Sequence, residues 1–205
     1  MAQMNSEQLK ALGLGQQWLE PLNETFAKYD ISTPKRQACF IGQTLHESGN
    51  YKFTKENLNY SAKALMATWP SRFPTIDVAT QYERQPEKIA SKVYLGRMGN
   101  ETPEDAAKFI GRGLIQVTGR EAYKHCGEAL GIDLIATPQL LEEPCYAALS
   151  AGWFWNKKNL NALADEGTSS SFQTMTQRIN GGLLGLDDRK SKMIEALKAL
   201  GGQNA

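Results

Sequence analysis

In stretch after stretch of this chain the apolar residues recur three and four positions apart, and they alternate hardly anywhere, which limits it to a mainly helical fold. Trp18, Leu19, Leu22 and Phe26 set the pattern for a helix over about Gln16 to Tyr29, after a short one capped by Ser6 and running to about Leu14. Thr33-Pro34 marks another start, a capping hydroxyl followed by proline at the first helical position. Ala38, Ile41 and Leu45 give that helix its buried stripe, and Ser48-Gly49 ends it, with glycine in the left-handed cap. Further helices are predicted from a Ser61 cap to about Thr68, from Pro86 to Leu95, from Arg120 to Leu130, from Ser170 to Ile179 and from Asp187 to Leu200. Pro144 opens a helix over Cys145 to Trp155 that is apolar on nearly every side, as a central buried helix should be. The helical period fails from Tyr51 to Tyr60, which reads as a short strand or extended loop, and Gly96 to Gly113 reads as a polar loop. The fold class is therefore mainly α with at most a small β-hairpin.

Two hundred and five residues without a repeat or a linker are read as a single domain, 1–205. At 41% hydrophobic and 22% charged residues the chain can fold around a core, and a net charge of +1 gives no basic field for nucleic acid. Cys39, Cys126 and Cys145 are odd in number and scattered, so they are expected to be small buried thiols kept reduced. The first residues, MAQMNSEQLKALGLGQQW, lack the basic start and apolar centre of a secretory signal, and the most apolar stretch, Tyr146 to Trp155, is too short to span a bilayer. Synthesis in the cytosol without membrane insertion is the expectation.

Among 22 acidic side chains, Glu47 stands apart. It falls in the last turn of its helix, where the macrodipole disfavours negative charge and so suits a proton-donating acid. Its neighbours His46, Ser48, Gly49 and Asn50 are small or polar, as a cleft floor requires. His46-Glu47 also opens a zinc-protease motif, but that motif needs histidine at position 50, where Asn50 stands; with only His46 and His125 in the chain, neither a metal nor another cofactor is expected. Cys39 and His46 are about two helical turns apart, beyond the reach of a nucleophile–base pair. Trp153, Phe154 and Trp155 read as core, and Trp69 and Tyr82 as candidates for a cleft rim.

Five segments in order, His46-Glu47-Ser48-Gly49, Glu56 to Ser61, Arg97 to Asn100, Gly111 to Gly119 and Ile179-Asn180-Gly181-Gly182, make the chain resemble the chitinase-related endolysins of glycoside hydrolase family 19 from about residue 15 to 195. The resemblance implies a lysozyme-like fold of two helical lobes flanking a cleft, and an inverting single displacement. It implies Glu47 as general acid, Glu56 as the second carboxylate and Thr118 as the hydroxyl that steadies the attacking water. Gln116, Asn180 and Tyr60 would bind the sugar chain, and Arg189 would be a cleft arginine near the acid. The nine-residue step from Glu47 to Glu56 is that of the bacteriophage members; the plant chitinases have a longer one. Ile110, Ala122 and Asn50 depart from the pattern, where the family often has a basic residue, an asparagine and a second glycine; Ala122 lacks the amide for one sugar-binding hydrogen bond.

These types suit the chemistry. An inverting hydrolase needs carboxyls roughly 6.5–9.5 Å apart, with water between base and sugar. A threonine hydroxyl can accept from that water and donate to a carboxylate, and side-chain amides suit acetamido and hydroxyl groups. Gly111, Gly113 and Gly119 are equally readable as turn residues, and Asn180-Gly181-Gly182 as a helix stop. The implied function is a monomeric endolysin that cuts the N-acetylmuramic acid–N-acetylglucosamine β-1,4 bond of peptidoglycan, without a separate wall-binding domain, released to the wall by a holin-type protein. A chitinase and an inactive glycan-binding module are the alternatives.

Overall fold

The computed structural model describes residues 3–202. It is mainly helical, as expected: α1 (Ser6–Ala11), α2 (Leu19–Lys28), α3 (Pro34–Glu47), α4 (Ala62–Thr68), α5 (Ile76–Thr80), α6 (Pro86–Tyr94), α7 (Pro103–Lys108), α8 (Arg120–Leu130), α9 (Pro144–Lys157), α10 (Leu160–Glu166), α11 (Ser169–Asn180) and α12 (Leu186–Ala199). Extended pairing among the described residues is confined to isolated bridges, Lys55 to Arg112 and Arg112 to Val117, which is less than a hairpin.

At Thr33 and Ser61 the expected caps hold. Thr33 accepts from Arg36 N at the start of α3, and Ser61 accepts from Ala64 N at the start of α4. Elsewhere the expectations need correction. Ser6 is not the cap of α1; Asn5 is, in a capping box with Gln8, and the helix stops at Ala11. The loop expected over Gly96 to Gly113 contains α7, capped by Thr102 ahead of Pro103. The short helices α5 and α10 fall where no helix was expected.

The described residues gather into two compact units. The first takes in the chain up to Thr54, Gly113–Ile115 and the residues from Leu140 onward. Its core joins Leu22, Phe26, Phe40, Ile41, Ala148, Ala151 and Trp155, with Phe40 edge-on to both Phe26 and Trp155. Trp155 is fully buried, as its place in an apolar helix implies, while Phe154 packs half-buried against the same core. α12 lies close along α3 because Gly42 has no side chain: a Cβ there would come within 2.8 Å of the Met193 backbone.

The second unit holds Lys55–Arg112 and Gln116–Gln139. Leu58, Leu65, Phe73, Ile89, Val93 and Ile110 form its apolar cluster. Trp69 and Tyr82, expected on a rim, are half-buried against this cluster, where each meets the ring of Phe73. Ile110, at a position where the family often has a basic residue, is one of its buried members.

Candidate active site

In the first unit the candidate acid sits at the end of an unusually well-tied helix. Glu47 is the last residue of α3, and the chain then turns through three consecutive left-handed residues: Gly49 (φ 57°), Asn50 (φ 61°) and Tyr51 (φ 60°). Such backbone persists only where its surroundings over-determine it. Here the Ser48 hydroxyl donates to Thr44 O (2.7 Å) and accepts from Tyr51 N (2.9 Å), and the buried Tyr51 hydroxyl lies 2.7 Å from Thr44 Oγ1. Tyr51 also packs against Trp18 with ring centroids 4.8 Å apart. Burial pushes its hydroxyl well above the usual tyrosine range, so it stays a neutral anchor. Asn50 takes the left-handed conformation without being glycine, which its short polar side chain tolerates.

The Glu47 carboxyl meets Arg189 of α12. Arg189 Nη2 lies 2.6 Å from Glu47 Oε1, a charge contact off the line of a hydrogen bond. The guanidinium is only 1% exposed and is held from two further sides, donating to Gln43 Oε1 (2.8 Å) and Leu184 O (3.0 Å). Gln43 in turn donates to Thr176 Oγ1 (2.9 Å), so a buried polar chain runs from α11 through α3 to α12 and ends at the acid. Glu47 Oε1 is buried and has no hydrogen-bond partner among the described residues. His46, next in the helix, is engaged with Asp188 (Nδ1 to Oδ2, 2.6 Å), and this contact, ahead of the one from Lys192, holds the aspartate below the usual carboxylate range. No group of three or more metal-ligating side chains occurs among the described residues.

In the second unit the candidate base is held by two donors. Tyr94 OH donates to Glu56 Oε1 (2.6 Å) and Gly111 N to Oε2 (3.1 Å), while Glu56 N donates back to Gly111 O (2.8 Å). Burial, and next the negative charge of Glu56, push the Tyr94 hydroxyl well above its ordinary range, so it remains a donor. Gly111 is also where Gln116 and Thr118 converge: a Cβ on it would strike the Gln116 amide oxygen and come within 3.2 Å of Thr118 Oγ1. Gly111 thus leaves room for the Gln116 amide, while Gly113 and Gly119 combine positive φ with close packing, Gly119 against Met98. Gln116 is itself left-handed (φ 52°), a strained non-glycine residue beside the candidate base. The Thr118 hydroxyl donates to Gln116 O (2.9 Å), not to a carboxylate as the chemistry of the residue types suggested; the carboxylate's donors are Tyr94 and Gly111.

The remaining expected residues fall in different units. Tyr60 is half-buried with its ring 5.1 Å from that of Trp69, in the second unit. Asn180, in the first, is exposed at the end of α11, and the left-handed Gly181 after it is the helix stop. Arg112, inside the Gly111–Gly119 segment, serves structure: it is buried and donates to Lys108 O (2.7 Å) and to Tyr123 OH (2.9 Å), which donates to Ile110 O (2.6 Å). Tyr94, Gln43 and Tyr51 were missed by the sequence reading. Each reaches the site through a long-range or cross-helix contact that leaves no local pattern.

Residues 24–164 match the profile of a glycosidase family whose description is chitinase class I. The chain belongs to glycoside hydrolase family 19. A family 19 domain-containing protein of Haemophilus influenzae is 40% identical over 164 residues, 79% of this chain and 78% of that protein. An endochitinase of Arabidopsis thaliana is 30% identical over 161 residues, 78% of this chain but only 44% of the plant protein, so the chain spans under half the length of that relative. Chitinase C of Streptomyces griseus shares the fold with a TM-score of 0.66 at 20% identity, over 98% of this chain and 93% of that one. Family 19 membership makes the chain one of a family of glycoside hydrolases, and the named relatives are in keeping with hydrolysis of a glycan polymer.

Proposed function

We propose that this family 19 chain is a phage or prophage endolysin that cleaves the β-1,4 bond between N-acetylmuramic acid and N-acetylglucosamine in peptidoglycan. The observation that carries the catalytic assignment is the seating of Glu47. Arg189 Nη2 lies 2.6 Å from Oε1 at the end of α3, and Oε2 is assigned the transferable proton. In the proposed step a water oxygen bonds to the anomeric carbon as the glycosidic C–O bond breaks. Glu56 takes the water's proton and Glu47 gives its own to the leaving oxygen, so the anomeric centre inverts. Tyr94 and Gly111 keep the Glu56 carboxylate in one orientation. Thr118, having spent its proton on Gln116 O, has lone pairs left to accept from the water. Gln116, Asn180 and Tyr60 are assigned to the sugar chain.

The choice of peptidoglycan rests on the Glu47–Glu56 step of nine residues, the spacing of the bacteriophage members that the chain resembles. Chitin is the second reading, favoured by the endochitinase names of the plant relatives. An inactive glycan-binding module is disfavoured by the presence of Glu47, Glu56 and Thr118 together. No helix among the described residues is long and apolar enough to cross a membrane. The proposal includes synthesis in the host cytoplasm, action as a monomer on the wall and release through a separate holin-type protein. Digestion of purified peptidoglycan and of chitin oligomers, with mass spectrometry of the new reducing end, tests it. A new N-acetylmuramic acid terminus is expected; cleavage of chitin alone overturns the peptidoglycan assignment and leaves the hydrolase.

A further inference from the structure

The first unit contains a second feature that hydrolysis does not use. Helices α3, α10, α11 and α12 line a half-open cavity of about 390 Å³, a volume within the usual range for small-molecule sites. None of Glu47, Gln43 and Arg189 lines it. Its floor is aliphatic, sulfur-bearing and aromatic, from Leu163, Phe172, Met175, Met193 and Leu197, with the Cys39 thiol beside them. Burial pushes that thiol up to about 12, so the floor carries no charge at neutral pH.

One rim is cationic. Lys35, Lys190 and Lys198 line the cavity, and no carboxylate forms an ion pair with any of them among the described residues. Two of the three ammonium groups reach the short segment between α10 and α11. Lys190 Nζ donates to Ser169 Oγ (2.7 Å), and Lys35 Nζ sits where a Cβ on Gly167 would be only 2.5 Å away. Asp165 is near enough for Lys35 to feel it, but both its oxygens are taken by Arg36, at 2.8 and 2.6 Å. The hydroxyls of Thr168 and Ser171 are spent on the capping box of α11. The lysines are therefore the groups left to receive a ligand's charge. A sugar would find an apolar floor without amides or carboxylates for its hydroxyls, and a bare anion would leave that floor unused.

We propose that this cavity binds a single-chain anionic amphiphile, with an aliphatic tail along the floor and a carboxylate or similar monoanion between Lys35 and Lys190. The charge complementarity of the rim chooses the head, and the apolar floor chooses the tail. The site stands whether or not the hydrolase reading does.

Calorimetric titration of the full chain with decanoate below its micelle concentration tests it, with 1-decanol and acetate as the tail and the head alone. Decanoate is expected to bind, to raise the melting temperature and to shift the Met175 and Met193 methyl NMR signals. Decanol, lacking the charged head, and acetate, lacking the tail, should each bind at least about tenfold more weakly. The double substitution Lys35→Gln, Lys190→Gln, checked to melt as the wild type does without ligand, should weaken decanoate about tenfold or more and leave decanol unchanged. The proposal is overturned if decanoate does not bind, if decanol binds as well, if the lysine substitutions have no effect, or if the methionine methyls stay still. Binding to phosphatidylglycerol vesicles without binding of free decanoate would assign this face to a membrane surface and also overturn it.

Discussion

Glu47 and its arginine make the sharpest predictions about single residues. Glu47→Gln keeps an oxygen that Arg189 can contact but removes the transferable proton, so turnover should fall about 10²–10⁴-fold while the unfolding midpoint stays near that of the wild type. Full activity in the folded variant would remove Glu47 from its role. Arg189→Met should act in the opposite way on stability. It leaves the buried Gln43 Oε1 without its donor, a loss of about 1–3 kcal/mol measurable by denaturant unfolding. Thr118→Val deletes the hydroxyl and keeps the shape, so kcat should drop with little change in KM. Tyr94→Phe takes one of two donors from the Glu56 carboxylate and should likewise lower kcat more than it raises KM. Because burial and Glu56 both disfavour its phenolate, Tyr94 should not ionise in the ordinary tyrosine range near pH 10. Ultraviolet titration of wild type against Tyr94→Phe should therefore show no difference there, and a missing phenolate step would contradict the contact.

Elements differ in how well their sequence announced them. The starts of α3, α4 and α8 were legible because a cap, a proline or a glycine stands at each and the apolar stripe that follows is long enough to count. α7 carries the same Thr-Pro signal as α3, but its six residues offer too little periodicity to stand out inside a glycine-bearing polar stretch. α10 begins at a left-handed Asn159 without a side-chain cap, so its start had no local mark at all. The turn after Glu47 could be placed from Ser48-Gly49, yet its left-handed continuation through Tyr51 is imposed by Thr44 and Trp18, which sequence order does not bring together. The candidate acid was legible for the same reason as its helix end, whereas the donors that hold Glu56 were not. At this scale one pH dependence follows. Arg36, in the first turn of α3, pairs with Asp30 (2.7 Å) and with Asp165 of α10 (2.6 Å). Asp165 is held low chiefly by Arg36, and Asp30 by Ser32 and then Arg36. Carboxylates held low contribute stability that is present above the usual aspartate range and lost as pH falls through their lowered values. Arg36→Met should thus be less stable than wild type at pH 7, by a modest amount since both aspartates are largely solvated, and the gap should close below about pH 4. Urea unfolding at the two pH values checks it; a gap unchanged by acid would deny the pairs their role.

For the molecule as a whole, the helical architecture followed from periodicity and the family from five short segments, while the chemistry depends on which groups the fold sets beside each carboxyl. The proposed reaction uses two carboxyls and water alone, so lysis should survive EDTA; loss on chelation with recovery on added zinc would mean that His46-Glu47 had been misread. The central claim is that water, steadied on the Glu56 side and with Glu47 protonating the leaving oxygen, is the first nucleophile. An NMR time course of the cleaved β-linked glycan tests it most directly. The account predicts that the α-anomer of the new reducing end appears first and relaxes to the equilibrium mixture. A β-anomer formed first would mean that an enzyme carboxylate attacks before water does, and the roles given to Glu56 and Thr118 would be withdrawn.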